Sequence, residues 1–357
     1  MSNEAIKEGE DELEVTEYVF EIPPGQKPER IDVYLTNSIK FATRNKVQKA
    51  IDDGRVLING KIAKASRKVQ PKDKVVCKIL KPPSLKLIPE NIPIDILWED
   101  DYVLVVNKPP HMVTHPGFGN RTGTLVNAVL YHLGKRDSIE VELDEEYEEF
   151  DESQIFYSQD IRPGIVHRLD KDTSGVMVIV KDSKYHQPLA LQFEERSVER
   201  FYYALVWGNI EEDEGTYEGD IGRNPRNRQI FAVVKKDGKY AITDYQVIDR
   251  FGVITLVKVK LRTGRTHQIR VHFSHNKHPV VGDTDYGGDK LAYGAGVAEK
   301  KKILIQCLSK INRQMLHAKV LAFNHPVTKE RLYFESDLPD DFKEVLSILE
   351  NNKDKLL

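Results

Sequence analysis

The run His167-Arg168-Leu169-Asp170-Lys171-Asp172-Thr173-Ser174-Gly175 sets a cation, Arg168, and a carboxylate, Asp170, two residues apart just ahead of the apolar run 176–180. An ionised Asp can attack an electrophile covalently or accept a proton as a general base. Residue types alone do not choose between these roles. Either role needs the carboxylate kept charged, and a neighbouring guanidinium favours the charged form. A second Arg is therefore expected close by. Standing alone, an Arg and an Asp in this spacing also fit an ordinary solvated turn.

Candidates for that second Arg lie in Leu261-Arg262-Thr263-Gly264-Arg265-Thr266-His267-Gln268-Ile269-Arg270-Val271-His272. Residues 253–261 read as a strand, Gly264 as the turn, and Thr266 as the N-cap of a short helix that Pro279 ends. Arg262 and Arg265 beside the positive end of a helix suit an RNA phosphate, although a solvated turn has the same composition. A third stretch, Val198-Glu199-Arg200-Phe201-Tyr202-Tyr203-Ala204-Leu205-Val206, reads as a strand rich in aromatic and β-branched residues. Tyr202 and Tyr203 then face opposite sides, because strand neighbours alternate. Core packing is the plain account of either one.

In this chain order the three stretches closely resemble the signature motifs of the RluA/RluD family of RNA pseudouridine synthases. The resemblance makes Asp170 the catalytic residue, Arg270 the Arg beside it, and Tyr202 the tyrosine that stacks on the target base and assists proton transfer. Further matches are Asp100-Asp101-Tyr102-Val103-Leu104-Val105-Val106-Asn107-Lys108-Pro109, His115-Pro116-Gly117-Phe118-Gly119-Asn120 and Val281-Gly282-Asp283. Asn224-Pro225-Arg226-Asn227-Arg228 is similar to a basic loop of the RluD branch. The similarity runs from about Glu17 to Phe334. The implied reaction breaks the bond between ribose and uracil N1, rotates the uracil and rejoins it through C5. It involves no redox change and no external group, so no cofactor is expected.

A net charge of −3 would by itself argue against an RNA partner, but the charge is segregated. Residues 30–81 hold fourteen Lys or Arg against four acids, residues 1–17 seven acids and one Lys, and residues 137–153 ten acids and no base. A basic module is the footprint of a nucleic-acid binder; acidic blocks are usually solvated and disordered. No apolar run approaches the roughly 18 residues that span a membrane, and the N-terminus is acidic where a secretory signal is basic and then apolar. A cytoplasmic protein is expected. Cys77 and Cys307 are the only cysteines, too few for a disulfide framework or a zinc site. The cluster His267, His272, His275 and His278 lacks the spacing of a metal motif, so no metal is expected. Asp283 and Asp285, set among glycines, read as a structural loop rather than as the paired carboxylates of a glycosidase.

Along the chain, residues 1–16 read as an acidic tail and 17–82 as an RNA-binding module. Within the module, a helix from Arg30 through Val33, Leu35 and Ile39 precedes a second, opened by Thr43, with Val47, Ala50 and Ile51 on one face and Gly54 as its stop. Asn59-Gly60 is a hairpin signal, and residues 75–79 form a closing strand. With Arg44, Lys46, Lys49 and Arg55 clustered, this module resembles an S4 domain, which would hold structured RNA largely through backbone and shape. A proline-rich linker, residues 83–93, would separate it from a catalytic domain at 94–336, interrupted by the acidic insertion 137–153. A helix and tail, 337–357, close the chain. Many strand-like runs with few helices between them predict an α+β fold on a mainly antiparallel sheet.

The resemblance carries the substrate: uridines of large-subunit (23S) ribosomal RNA, as in the RluD branch, acted on by a monomer. Two alternatives stay open. A sister branch also has an S4 module and modifies other uridines of the same RNA, and a noncatalytic S4-type ribosome-assembly factor would use the binding module alone.

Overall fold

The computed structural model describes residues 14–39, 42, 44–81, 85–116, 120–141, 164–291 and 298–357. The acidic tail before residue 14, the helix-opening Thr43, Pro82 and Pro83, the Gly117-Phe118-Gly119 segment and residues 142–153 of the expected insertion lie outside them. The chain divides into two units, residues 1–86 with 140–148 and residues 87–139 with 149–357.

The first unit carries β1 (Glu14–Glu21), α1 (Ile31–Ser38), α2 (Arg44–Asp52), β2 (Val56–Ile58), β3 (Lys61–Ile62) and β4 (Lys74–Lys81), with strand order β1-β4-β2-β3 and antiparallel pairing throughout. Ile31, Leu35 and Ile39 recur every four residues, so one helical face is apolar. It buries with Val47, Ala50 and Ile51 of α2 against Val56, Val75 and Cys77 of the strands. Asn59 (φ 50°) and Gly60 (φ 78°) turn β2 into β3, the left-handed pair that a two-residue hairpin requires. Asp32 is fully buried and accepts two bonds from Arg30, at 3.0 and 2.8 Å. Burying a carboxylate without a cation would be costly, so Asp32 fixes Arg30 and draws Arg44 to 3.6 Å.

Two short strands follow, β5 (Leu85–Leu87), inside the stretch expected to be linker, and β8 (Ile139–Val141). The second unit is built on an eleven-stranded sheet among the described residues. Its strands are β6 (Asp95–Glu99), β7 (Val103–Lys108), β9 (Gly164–Ile165), β10 (Ser174–Val180), β11 (Glu199–Trp207), β12 (Glu214–Arg223), β13 (Phe231–Val233), β14 (Lys239–Arg250), β15 (Ile254–Leu261), β16 (Leu316–Asn324) and β17 (Arg331–Glu335). They run in the order β13-β12-β14-β15-β11-β16-β10-β7-β6, with β17 on β16 and β9 on β10. Every pairing is antiparallel except the contact of β10 with β16. The fold is thus α+β on a mainly antiparallel sheet.

All seven residues of β10 are buried, and Val176, Val178 and Val180 pack with Val103, Val105, Leu321 and Phe323. The parallel contact is two residues long, Ser174 opposite His317 and Gly175 opposite Ala318. A Cβ at Gly175 (φ 122°) would come within 2.2 Å of the Ala318 carbonyl oxygen, so only glycine lets β10 cross β16 there. That crossing fixes where the preceding loop, with Asp170, emerges. Helices α3 (Leu125–His132), α4 (His186–Glu194), α5 (Gln268–His275), α6 (Ala298–Leu308), α7 (Asp340–Asn351) and α8 (Lys353–Leu356) complete the unit. Phe342, Val345, Leu349 and Leu356 of the last two pack on Leu205, Trp207 and Phe251. Among the described residues no helix is long and apolar enough to cross a membrane.

Candidate active site

Asp170 sits in the loop entering β10, and four consecutive carbonyls of that loop each find a donor. Leu169 O accepts from Thr114 Oγ1 (2.9 Å), Asp170 O from Thr173 N (3.1 Å), Lys171 O from Lys108 Nζ (3.0 Å) and Asp172 O from Arg313 Nη1 (3.1 Å). Donors from distant parts of the chain therefore set the backbone that carries the carboxylate. Lys108, the last residue of β7, is 1% exposed, and its ammonium also donates to Pro109 O and Met112 O, both at 2.8 Å. Its three hydrogens meet three carbonyls. Burial pushes Lys108 down to about 7, against the pull of Asp170 and Asp172.

Between that value and the ordinary 10.5 the unfolded chain binds more protons than the folded one. Stability therefore gains from Lys108 as pH rises through this window, and the full penalty of burying its charge is present below about 7. We predict that Lys108→Met flattens the rise of the urea midpoint between pH 7 and 9. It should also lower turnover by about tenfold or more, because three carbonyls, that of Met112 buried and those of Pro109 and Lys171 part-buried, lose a donor, at about 1–3 kcal/mol for one left buried. Wild-type turnover with an unchanged pH profile of stability would show that Lys108 does not hold this loop.

Arg270 lies on α5 and is 5% exposed. Asp283, fully buried, grips it by two bonds, from Nε (2.7 Å) and Nη2 (2.8 Å), and Asp285 accepts from Nη2 at 2.7 Å. This two-pronged grip fixes the guanidinium plane. Nη1 is thereby aimed at Asp170 Oδ2, 3.2 Å away. Burial alone would raise the Asp170 carboxyl; His267 when protonated, Arg270 and Arg168 outweigh it and hold the group below the usual aspartate value. Sequence reasoning assigned Asp283 and Asp285 only a structural loop, but the loop orients the Arg beside Asp170. The one available signal was the match of Val281-Gly282-Asp283.

His267 stands in a left-handed conformation, φ 56°, with Nε2 3.9 Å from Asp170 Oδ1. Its Nδ1 lies 2.8 Å from the Tyr286 hydroxyl, which accepts the Phe231 N–H at 3.0 Å. With the tyrosine hydrogen directed to Nδ1, the hydrogen-bond network assigns the imidazole proton to Nε2, the nitrogen facing Asp170. Burial holds His267 below its ordinary value. The helix that follows is not capped by Thr266, as its sequence predicts. It begins at Gln268, after His267, with no side-chain cap. The buried Gln268 amide takes over the turn, accepting from Thr263 Oγ1 and Arg265 N and donating to Ile242 O and Thr243 Oγ1.

Tyr202 is 6% exposed, and the register of β11 against β16 shifts between Phe201 and Tyr202. Such an irregularity re-aims a side chain. One cleft is lined by Arg168, Asp170, Tyr202, Arg265, His267 and Arg270 among others. Arg168 is exposed at this cleft. Arg262 is not among its lining: Asp244 holds it at 2.6 Å. In the first unit Arg44 and Lys49 are exposed and Lys46 is half-buried, while Arg55 is bound to Asp53 at 2.5 Å. Of the four histidines considered as a metal cluster, His267 faces the Tyr286 hydroxyl at 2.8 Å, His272 faces Thr243 Oγ1 and His278 faces Trp207 O, both at 2.9 Å, and His275 is exposed. No group of three metal-ligating side chains occurs among the described residues.

A mainly antiparallel sheet that sets an Asp and an Arg together in one cleft beside a buried Tyr is the arrangement of a pseudouridine synthase. Residues 102–275 match the RNA pseudouridylate synthase family, and residues 29–75 match the S4 domain. An RNA pseudouridine synthase of Chlorobaculum parvum is 45% identical over 324 residues, 90% of this chain and 94% of the relative. Ribosomal large subunit pseudouridine synthase D of Pseudomonas aeruginosa is 36% identical over 334 residues, 94% of this chain and 96% of that protein. The solved structure of human RNA pseudouridylate synthase domain containing 4, 25% identical, covers 72% of this chain and 93% of its own with a TM-score of 0.52. This chain belongs to the RluA/RluD family of RNA pseudouridine synthases, with an N-terminal S4 domain. It is an isomerase, and its substrate is RNA.

Proposed function

We propose that the protein isomerises specific uridines of large-subunit ribosomal RNA in the cytoplasm, as a monomer without cofactor, and that Asp170 is its catalytic carboxylate. The observation carrying the assignment of Asp170 is its pairing with Arg270 at 3.2 Å inside the cleft lined by Tyr202. Relatives named ribosomal large subunit pseudouridine synthase D support the choice of RNA. The glycosidic bond to N1 breaks and a bond to C5 forms, while C5 gives up its proton and N1 takes one up, so the product is an isomer of the substrate. Arg270 holds Asp170 Oδ2, so Oδ1 is the oxygen left to attack the sugar or take a proton from it. Tyr202 stacks on the uracil while it turns. Chemical mapping of pseudouridine in ribosomal RNA from a strain lacking this chain tests the assignment: discrete large-subunit sites should lose the modification and regain it on complementation. An unchanged large-subunit map would overturn it, and sites elsewhere in that RNA would place the protein in the sister branch.

A uridine within a stem-loop must leave its stack before C1′ is reached, at about a few kcal/mol. Exposed Arg168, at the Asp170 cleft, is suited to fill the vacated space. Arg168→Ala should slow single turnover on a stem-loop about tenfold more than on an unstructured oligonucleotide. Equal losses on the two would rule out a wedge.

Residues 17–82 supply affinity and residues 94–336 chemistry, with Arg44, Lys46, Lys49 and Arg55 on phosphates in the first and Arg262 and Arg265 in the second. Deleting residues 1–81 should weaken binding and flatten the salt dependence, each lost phosphate contact removing roughly 0.7–0.9 from the slope of log K against log salt. Filter binding across a salt series checks this, and identical slopes would remove the division of labour.

A further inference from the structure

A second cavity, of about 270 Å³, opens beside the site, lined by Asn224, Phe231, Val233, His275, Asp285 and Tyr286 among others. It shares no lining residue with the Asp170 cleft. Two side chains join them: Arg270 reaches Asp170 through Nη1 and Asp285 through Nη2 and lies 4.9 Å over the Tyr286 ring, and His267, 3.9 Å from Asp170, is bonded to the Tyr286 hydroxyl at 2.8 Å. Asp285, in the wall of the second cavity, is therefore linked to the Asp170 carboxylate through a single guanidinium. Two aromatic rings, Phe231 and Tyr286, offer a flat apolar group something to stack on. Asp285 repels a phosphate here, yet cations stand close by. Arg223 lies 4.5 Å over Phe231, and Arg226 and Arg228 belong to the loop that ends at the cavity residue Ile230. This lining fits a base, with its backbone phosphates held by the loop arginines.

Asp285 uses one oxygen on Arg270, its side chain is 47% exposed, and its other oxygen has no partner among the described residues. A carboxylate accepts from an exocyclic amine, as it does from cytosine N4. Uracil has no such amine. We propose that this cavity binds the base of a nucleotide neighbouring the target uridine, and prefers one carrying an exocyclic amino group. The inference rests on the reading of the Asp170 cleft as the uridine site.

The test is an abasic walk along a ribosomal RNA fragment that the wild-type enzyme converts, read as single-turnover pseudouridine formation by the intact protein, Phe231→Ala and His275→Ala. His275 is exposed at the end of α5, so its variant keeps the fold if Phe231→Ala does not. Removing the base at one neighbouring position should slow the wild type about tenfold, the scale of one lost stacking contact. It should slow the variants about twofold or less, and uracil placed there, which keeps the stacking but offers Asp285 no amine, should fall between the parent base and the abasic site. Abasic effects identical in all three proteins at every position overturn the second cavity. Conversion of the parent fragment, lost in Asp170→Asn, tests the catalytic reading separately.

Discussion

Asp170→Asn is expected to reduce pseudouridine formation by about a thousandfold or more, over about 4 kcal/mol of transition-state stabilisation, while RNA affinity stays within about twofold of wild type. The amide has the size of the carboxylate but can neither attack the sugar nor take its proton. The loop survives the change, because its shape rests on carbonyls held by Thr114, Lys108 and Arg313 and not on the Asp170 side chain. Single-turnover rates and equilibrium binding on the same RNA separate chemistry from affinity. Turnover within about tenfold of wild type, roughly 1.4 kcal/mol, would remove Asp170 from the chemistry.

Arg270→Ala should cost both stability and activity. Arg270 is the only cation bonded to Asp283, whose side chain has no exposed surface, among the described residues. Taking one partner from a buried pair leaves the other charge uncompensated, at about 3–5 kcal/mol. Urea denaturation should show that loss. The neighbouring Asp170 also loses a cation that holds its carboxyl low, so its value rises and the acidic limb of kcat/KM moves to higher pH. Arg270→Lys keeps the charge without the fork and should fall between the two. A variant as stable as wild type, with an unmoved acidic limb, would mean that Asp283 does not depend on Arg270 and that Arg270 does not control Asp170.

The parts of the site legible in the sequence are those set by local pattern. The apolar run after Asp170 is the fully buried β10, and the Asn59-Gly60 hairpin and the four-residue spacing of Ile31, Leu35 and Ile39 follow from turn and helix geometry. What local pattern cannot carry is partnership across the fold. Asp283 and Asp285 resemble any loop carboxylates until Arg270 is placed against them, and Lys108 resembles a strand-end lysine until the Lys171 carbonyl is found above it. Arg262 and Arg265 lie in one motif, yet only Arg265 lines the cleft, because Asp244 of β14 captures Arg262. Thr266 has the sequence of an N-cap, and it fails as one because the Gln268 amide makes the turn's hydrogen bonds instead.

The most direct test of the account is to incubate purified wild-type protein and Asp170→Asn with unmodified large-subunit ribosomal RNA and map pseudouridine at single-nucleotide resolution. The account predicts conversion at discrete uridines by the wild type and none by Asp170→Asn. No conversion by the wild type, or the same conversion by both, would contradict it.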